Sequence, residues 1–215
     1  MKRTRIKFCG MTHADDVALA CELGADALGF IFVPASRRVL EVAHARSLVE
    51  ATPLFVSRVG LFADPSRAAV QAVLDRVDLD CLQFHGNEDA AFCEQFGLPY
   101  LKAVAMGGDR PGIAPVTEAH PRARAFVFDA HAPGGSGGGG VPFDWSRFPA
   151  PTSTLKAILA GGLSPGNVFD AITRTRPWAV DVVSGVEAAP GRKDAEKMRR
   201  FIHEVRRADD ASHDD

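Results

Sequence analysis

The chain has 215 residues, 46% hydrophobic and 24% charged, with a formal net charge of −2. That is an ordinary globular composition, long enough for one large domain or two small ones. It excludes nucleic-acid recruitment by bulk charge, and no apolar run approaches the roughly 18 residues of a membrane span. From the N-terminus, basic residues Met1 to Arg5 lead straight into a β-type run with no apolar leader segment, so no secretory signal is expected. β-rich runs fall near 5–9, 27–32, 55–61, 80–84, 100–104, 124–128, 154–160 and 179–184. Helical periods fill most intervals. Asp15 to Leu23 has Thr12 as a candidate cap and Gly24 as its stop. Val42 to Ala51 follows, then Pro65 to Val77, with Asp64 as cap and Pro65 at the first helical position. Asn87, Ser164 and Gly191–Lys193 are read as opening three more helices. The stretch 105–123 is rich in Pro and Gly, so a fifth helix there is short or irregular. Residues 130–153 are similarly weak.

Eight β runs alternating with crossovers imply a parallel sheet. The expectation is an α/β fold, a (β/α)₈ TIM barrel, as a single domain over residues 1–205 with a polar, frayed tail at 206–215. A doubly wound open sheet is the rival, but the first turn, Cys9-Gly10-Met11-Thr12, carries no GxGxxG. Four cysteines (9, 21, 81, 93) form no CxxC pair, which suggests reduced thiols and a cytoplasmic protein. Seven scattered histidines make no HxH or HxxxH pair, and no metal site is expected. No long exposed apolar patch is evident, so a monomer is expected.

Barrel enzymes place their chemistry at the C-terminal ends of the strands. The residues there are Cys9, Ser36-Arg37-Arg38, Asp64, Gln83-Phe84-His85-Gly86, Asp129, Gly161-Gly162 and Ser184-Gly185. Cys9 reads either as a partly exposed reactive thiol or as a small buried hydrophobe. Asp129 reads as a proton donor at the mouth or as a helix cap. Pro133 to Gly140 is nearly free of side chains, either a cover over a ligand or slack chain. Gly161-Gly162 and Ser184-Gly185 offer backbone donors beside a helix start, the chemistry of an anion site, although tight turn packing also uses such glycines. Together they suggest a small phosphorylated substrate, with no nucleic acid and no membrane partner. Strand parity puts Lys7 below Cys9 inside the barrel, where a lysine needs an acid. Asp181 on the neighbouring strand is the expected partner, in a pair that biases Cys9 toward thiolate.

The ordered set Lys7-Phe-Cys-Gly-Met-Thr12, Gly24 to Phe32, Leu82-Gln-Phe-His-Gly86, Asp129, Gly134-Gly-Ser-Gly137, Phe143-Asp-Trp145, Leu159-Ala-Gly-Gly-Leu163, Val182 to Glu187 and Pro190 to Asp194 resembles phosphoribosylanthranilate isomerase from residue 6 to about 202. The resemblance implies a small barrel of tryptophan biosynthesis working without metal or cofactor. Its reaction would be the Amadori rearrangement of N-(5-phosphoribosyl)anthranilate. It implies Asp129 as general acid and Cys9 as general base. Arg38, or Arg37 beside it, would take the anthranilate carboxylate. Gly161, Gly162, Ser184 and Gly185 would hold the phosphate, and Gln83, His85 and Asp181 would also bind substrate. The chain departs from the family pattern at Arg37 (commonly Pro), Phe84 (commonly Leu), Ser136 (commonly Thr), Gly137–Gly140 (commonly a polar pair) and Val183 (commonly small and polar). The related sugar isomerisation of histidine biosynthesis uses a carboxylate in the place of Cys9, and a non-catalytic phosphosugar-binding barrel would need neither Cys9 nor Asp129.

Overall fold

In the computed structural model, which describes residues 3–107, 113–130, 143–150, 152 and 154–211, eight parallel strands close into a barrel in sequence order. They are β1 (Arg5–Cys9), β2 (Ala27–Ile31), β3 (Ser57–Phe62), β4 (Cys81–Phe84), β5 (Tyr100–Ala105), β6 (Ala125–Asp129), β7 (Ala157–Leu159) and β8 (Ala179–Val182). Around them run α1 (Ala14–Glu22), α2 (Val42–Glu50), α3 (Arg67–Leu74), α4 (Ala90–Glu94), the short α5 (Ile113–Ala119), α6 (Val168–Thr175) and α7 (Ala195–Ala211). Between β8 and α7 lies a small antiparallel hairpin, β9 (Glu187–Ala189) and β10 (Arg192–Lys193).

Alternation within each strand divides the core in two. Outward residues such as Phe8, Leu28, Phe30, Leu82, Phe84, Phe128 and Val180 pack under the helices, where Phe8 meets Phe201 of α7 at 6.0 Å between ring centres. Each fully buried ring of that kind contributes about 1.5–3 kcal/mol. Inward residues Val59, Leu101, Ala125, Val127, Ile158 and Ala179 fill the barrel floor. Cys9, Ile31 and Leu61 form a separate apolar cluster. By register and parity it lies toward the strands' C-terminal ends.

Several local expectations are corrected, some of them because a distant partner claims the residue. Thr12 does not cap α1; His13 holds that position, and the Thr12 hydroxyl donates to Gly191 O. Asp64 does not cap α3. It adopts φ 47° and accepts from Asn87 N at 2.6 Å, while Ser66 caps the helix. Asp89 rather than Asn87 caps α4, and α6 opens after Asn167 rather than at Ser164. Gly191–Lys193 belongs to the hairpin, so α7 begins at Ala195. The tail expected from Arg206 is helical through Ala211. Ala208 is buried, and Asp209 accepts from Thr4 N at 2.9 Å and from its hydroxyl at 2.6 Å. Residues 212–215 lie outside the described part. The surface also carries an apolar pair, Leu54 and Phe55, 89% and 96% exposed.

Candidate active site

Cys9 ends β1 and is 1% exposed, so the thiol is enclosed rather than presented at a strand tip as expected. The space for its sulfur comes from Gly29, its register partner on β2, where a Cβ would collide with Sγ. Burial is the largest influence on the thiol and lifts its pKa above the usual range; Lys7 and Lys193 pull it down without winning. The expected bias toward thiolate is therefore present as a pull, and desolvation outweighs it.

Lys7 and Asp181 face each other across the β1–β8 ladder. Lys7 Nζ donates to Asp181 Oδ2 at 2.7 Å, and each side chain is 5% exposed. Burial works against the ammonium, but Asp181 overcomes it and holds the Lys7 pKa above its usual value. Asp181 Oδ1 and Gln83 Oε1 are both buried without a hydrogen-bond donor among the described residues. By strand parity both side chains point into the barrel.

Asp129 closes β6. Register runs Phe128 to Leu159 to Val180, so Asp129, Ala160 and Asp181 form one row at the C-terminal end, with Lys7 next along. Asp181 feels the charge of Asp129, and Cys9 feels that of Asp181. Gln83 Nε2 lies 3.2 Å from His85 Nδ1. The other ring nitrogen, Nε2, faces Asp129 Oδ2 at 3.6 Å. Gly161, at φ +80°, lies against Asp129 Oδ1 and Ala130 N, where no Cβ fits. The Gly-rich run Pro133 to Gly140, read as a cover over a ligand or as slack chain, lies outside the described residues.

The turns after β7 and β8 interlock. Gly185 packs directly on Leu163 O, and Asn167 ties its own turn together by accepting from Ser164 N at 2.8 Å and donating to Gly162 O at 2.9 Å. Gly162 is left-handed at φ +69°, and Ser184 and Gly185 open a single 3-10 turn. The two expected anion-binding segments are thus brought side by side. Arg38 is half-buried and lies against Gly10, whereas Arg37 is exposed. Arg38 Nε and Nη2 donate to Glu187 Oε1 and Oε2 at 2.7 and 2.6 Å.

Sequence reasoning gave no role to Glu187 or Lys193. Lys193 Nζ is fully enclosed and donates to Cys9 O at 2.7 Å, to Val183 O at 3.2 Å and to Glu187 Oε1 at 3.2 Å. An available signal was the order of charges, Glu187 then Lys193, flanking the turn at Pro190-Gly191. Among the described residues no cluster of His, Cys, Asp or Glu could hold a metal ion, and no helix is long and apolar enough to cross a membrane.

A family model for N-(5'-phosphoribosyl)anthranilate isomerase matches residues 6–204. A curated protein of that name from Stenotrophomonas maltophilia is 54% identical over 209 residues, 96% of this chain and 95% of the relative. The solved phosphoribosyl anthranilate isomerase of Thermus thermophilus superposes with a TM-score of 0.81 at 35% identity, over 95% of this chain and 99% of that one. A further isomerase structure, in complex with reduced 1-(o-carboxyphenylamino)-1-deoxyribulose 5-phosphate, gives 0.76 at 33% identity, over 94% and 98%. With the eight-stranded barrel and the residues gathered at its mouth, these matches establish that the chain belongs to the phosphoribosylanthranilate isomerase family.

Proposed function

We propose that this phosphoribosylanthranilate isomerase converts N-(5-phosphoribosyl)anthranilate to 1-(2-carboxyphenylamino)-1-deoxyribulose 5-phosphate with Asp129 as general acid and Cys9 as general base. Asp129 gives a proton to the furanose ring oxygen as the C1–O bond breaks, and the nitrogen lone pair forms the iminium. Cys9, as thiolate, takes the proton from C2. That electron pair closes the C1–C2 double bond and neutralises the nitrogen. The resulting enolamine loses its hydroxyl proton and gains one at C1 to become the ketone.

The carrying observation is the row of Asp129, Ala160 and Asp181 with Lys7 beneath Cys9, which puts a carboxyl and a thiol at the same end of one barrel. Several placements support the assignment. Buried Asp181 Oδ1 and Gln83 Oε1 are acceptors suited to sugar hydroxyls, and His85 Nε2 lies beside the acid. The interlocked Gly161-Gly162 and Ser184-Gly185 turns suit the phosphate. Arg38, inward where Arg37 is exposed, suits the ring carboxylate. Sedimentation of the active protein should give a monomer; a dimer dissociated by Phe55→Lys would overturn that part.

The test of the whole reading is the loss of phosphoribosylanthranilate fluorescence when pure protein is added. Cys9→Ser should abolish most turnover while retaining substrate affinity. Undiminished turnover in that variant would remove Cys9 as the base.

A further inference from the structure

Arginine has two hydrogen-bonding edges, one formed by Nε and a terminal nitrogen, the other by the two terminal nitrogens. In this site the first edge of Arg38 is taken by Glu187, through contacts of 2.7 and 2.6 Å. Nη1 makes no hydrogen bond to the described residues. Because Nη2 carries a second proton, the Nη1/Nη2 edge remains complete. The Arg38 stem packs on Gly10, next to Cys9, with its Cδ 2.7 Å from where a Cβ would stand.

Glu187 is itself constrained. Its carboxylate accepts from Lys193 Nζ at 3.2 Å and from Gly191 N at 3.3 Å, and its backbone oxygen accepts from Lys197 Nζ at 2.7 Å. Burial raises the carboxyl pKa, but Arg38 and Lys193 outweigh that and keep it below the usual range. The group therefore holds two cations and one anion, all at most 11% exposed. An anion at the Nη1/Nη2 edge of Arg38 would meet a complete pair of donors.

We propose that Glu187 is a positioning residue that holds one edge of the Arg38 guanidinium so that the other edge grips the substrate's ring carboxylate. This inference rests on the reading of Arg38 as the carboxylate site and adds a residue 149 positions away in sequence. It makes the β9–β10 hairpin a determinant of selectivity for carboxylated anilines. Arg38 alone, released from Glu187, would keep its charge but lose its aim.

The experiment compares two inhibitors: the reduced product, and the same molecule with hydrogen in place of the ring carboxylate. Glu187→Gln should weaken the carboxylated inhibitor about tenfold, raise KM by a similar factor and leave the other inhibitor and kcat within about twofold. Adding Arg38→Ala to Glu187→Gln should weaken binding no further than Arg38→Ala alone. Parental affinity for both inhibitors in Glu187→Gln, or an equal loss for both, overturns the proposal. If Arg38→Ala itself leaves the carboxylated inhibitor untouched, the assignment of Arg38 fails instead. Should Glu187→Gln not fold, Arg38→Lys decides. It keeps the charge without the two edges, so parental discrimination between the inhibitors would overturn the proposal.

Discussion

The two sides of the barrel mouth are built on different terms. Where β8, β1 and β2 meet, Cys9 is sealed from solvent and surrounded by Lys7, Lys193, Asp181 and the Arg38–Glu187 pair. Across β4 and β6, His85 and Asp129 retain 12% and 16% of their side-chain exposure. For the proposed base, Lys7 and Lys193 are the groups that favour the thiolate, because water cannot stabilise it there. A proton donor needs access to the leaving oxygen more than it needs enclosure. The side of the proposed base is accordingly charge-dense and enclosed, and the side of the proposed acid more open.

The largest effect should come from removing either reacting group. Asp129→Asn should lower kcat by roughly 10²–10⁴-fold in the fluorescence assay; a loss below tenfold would move the acid elsewhere. Next in size is the charge pair beneath the thiol. Lys7→Met strands Asp181 in the barrel and should destabilise the fold by about 3–5 kcal/mol in urea titration. His85→Asn, on the open side, should cost no more than about 1 kcal/mol. Equal costs would erase the contrast between the two sides. Lys7 has its pKa raised in the folded chain, so its stabilisation is complete below about pH 10 and lost only as pH climbs through the folded value.

Removing the Lys7 charge should also push the Cys9 thiol further up, since Lys7 is one of the cations lowering it. In the parent protein kcat/KM should rise with pH as the thiolate fraction grows, and in Lys7→Met that rise should begin at higher pH. An identical pH profile would separate the two residues. Gly29→Ala places a methyl against Sγ and should cost up to about a hundredfold in kcat by shifting the thiol, with phosphate affinity unchanged. The smallest effect belongs to Arg37→Ala. Its exposed side chain should leave KM within about twofold, whereas Arg38→Ala raises it; the reverse result would exchange their roles.

Strand order and parity were legible in the sequence because side-chain alternation and turn chemistry are local. They located all eight strands within a few residues and put Lys7 against Asp181. The segments bearing Cys9, Asp129, the glycine turns and Arg38 were legible too, since each ends a strand or lies in the loop after one. The helix starts were less so. Thr12 and Asp64 are sound local cap candidates, but Gly191 and Asn87 compete for their hydrogen bonds in the folded chain.

By itself, then, the sequence determined the periodicity, the barrel that periodicity closes into, and which candidate site residues ride at its C-terminal end. Only tertiary structure decided that the thiol is enclosed, that Arg38 is tethered to Glu187, and that Lys193 rests on the Cys9 carbonyl. The reason is range. Turn and strand preferences act over a few residues, while desolvation and ion pairing depend on groups far away in sequence that barrel closure brings into contact.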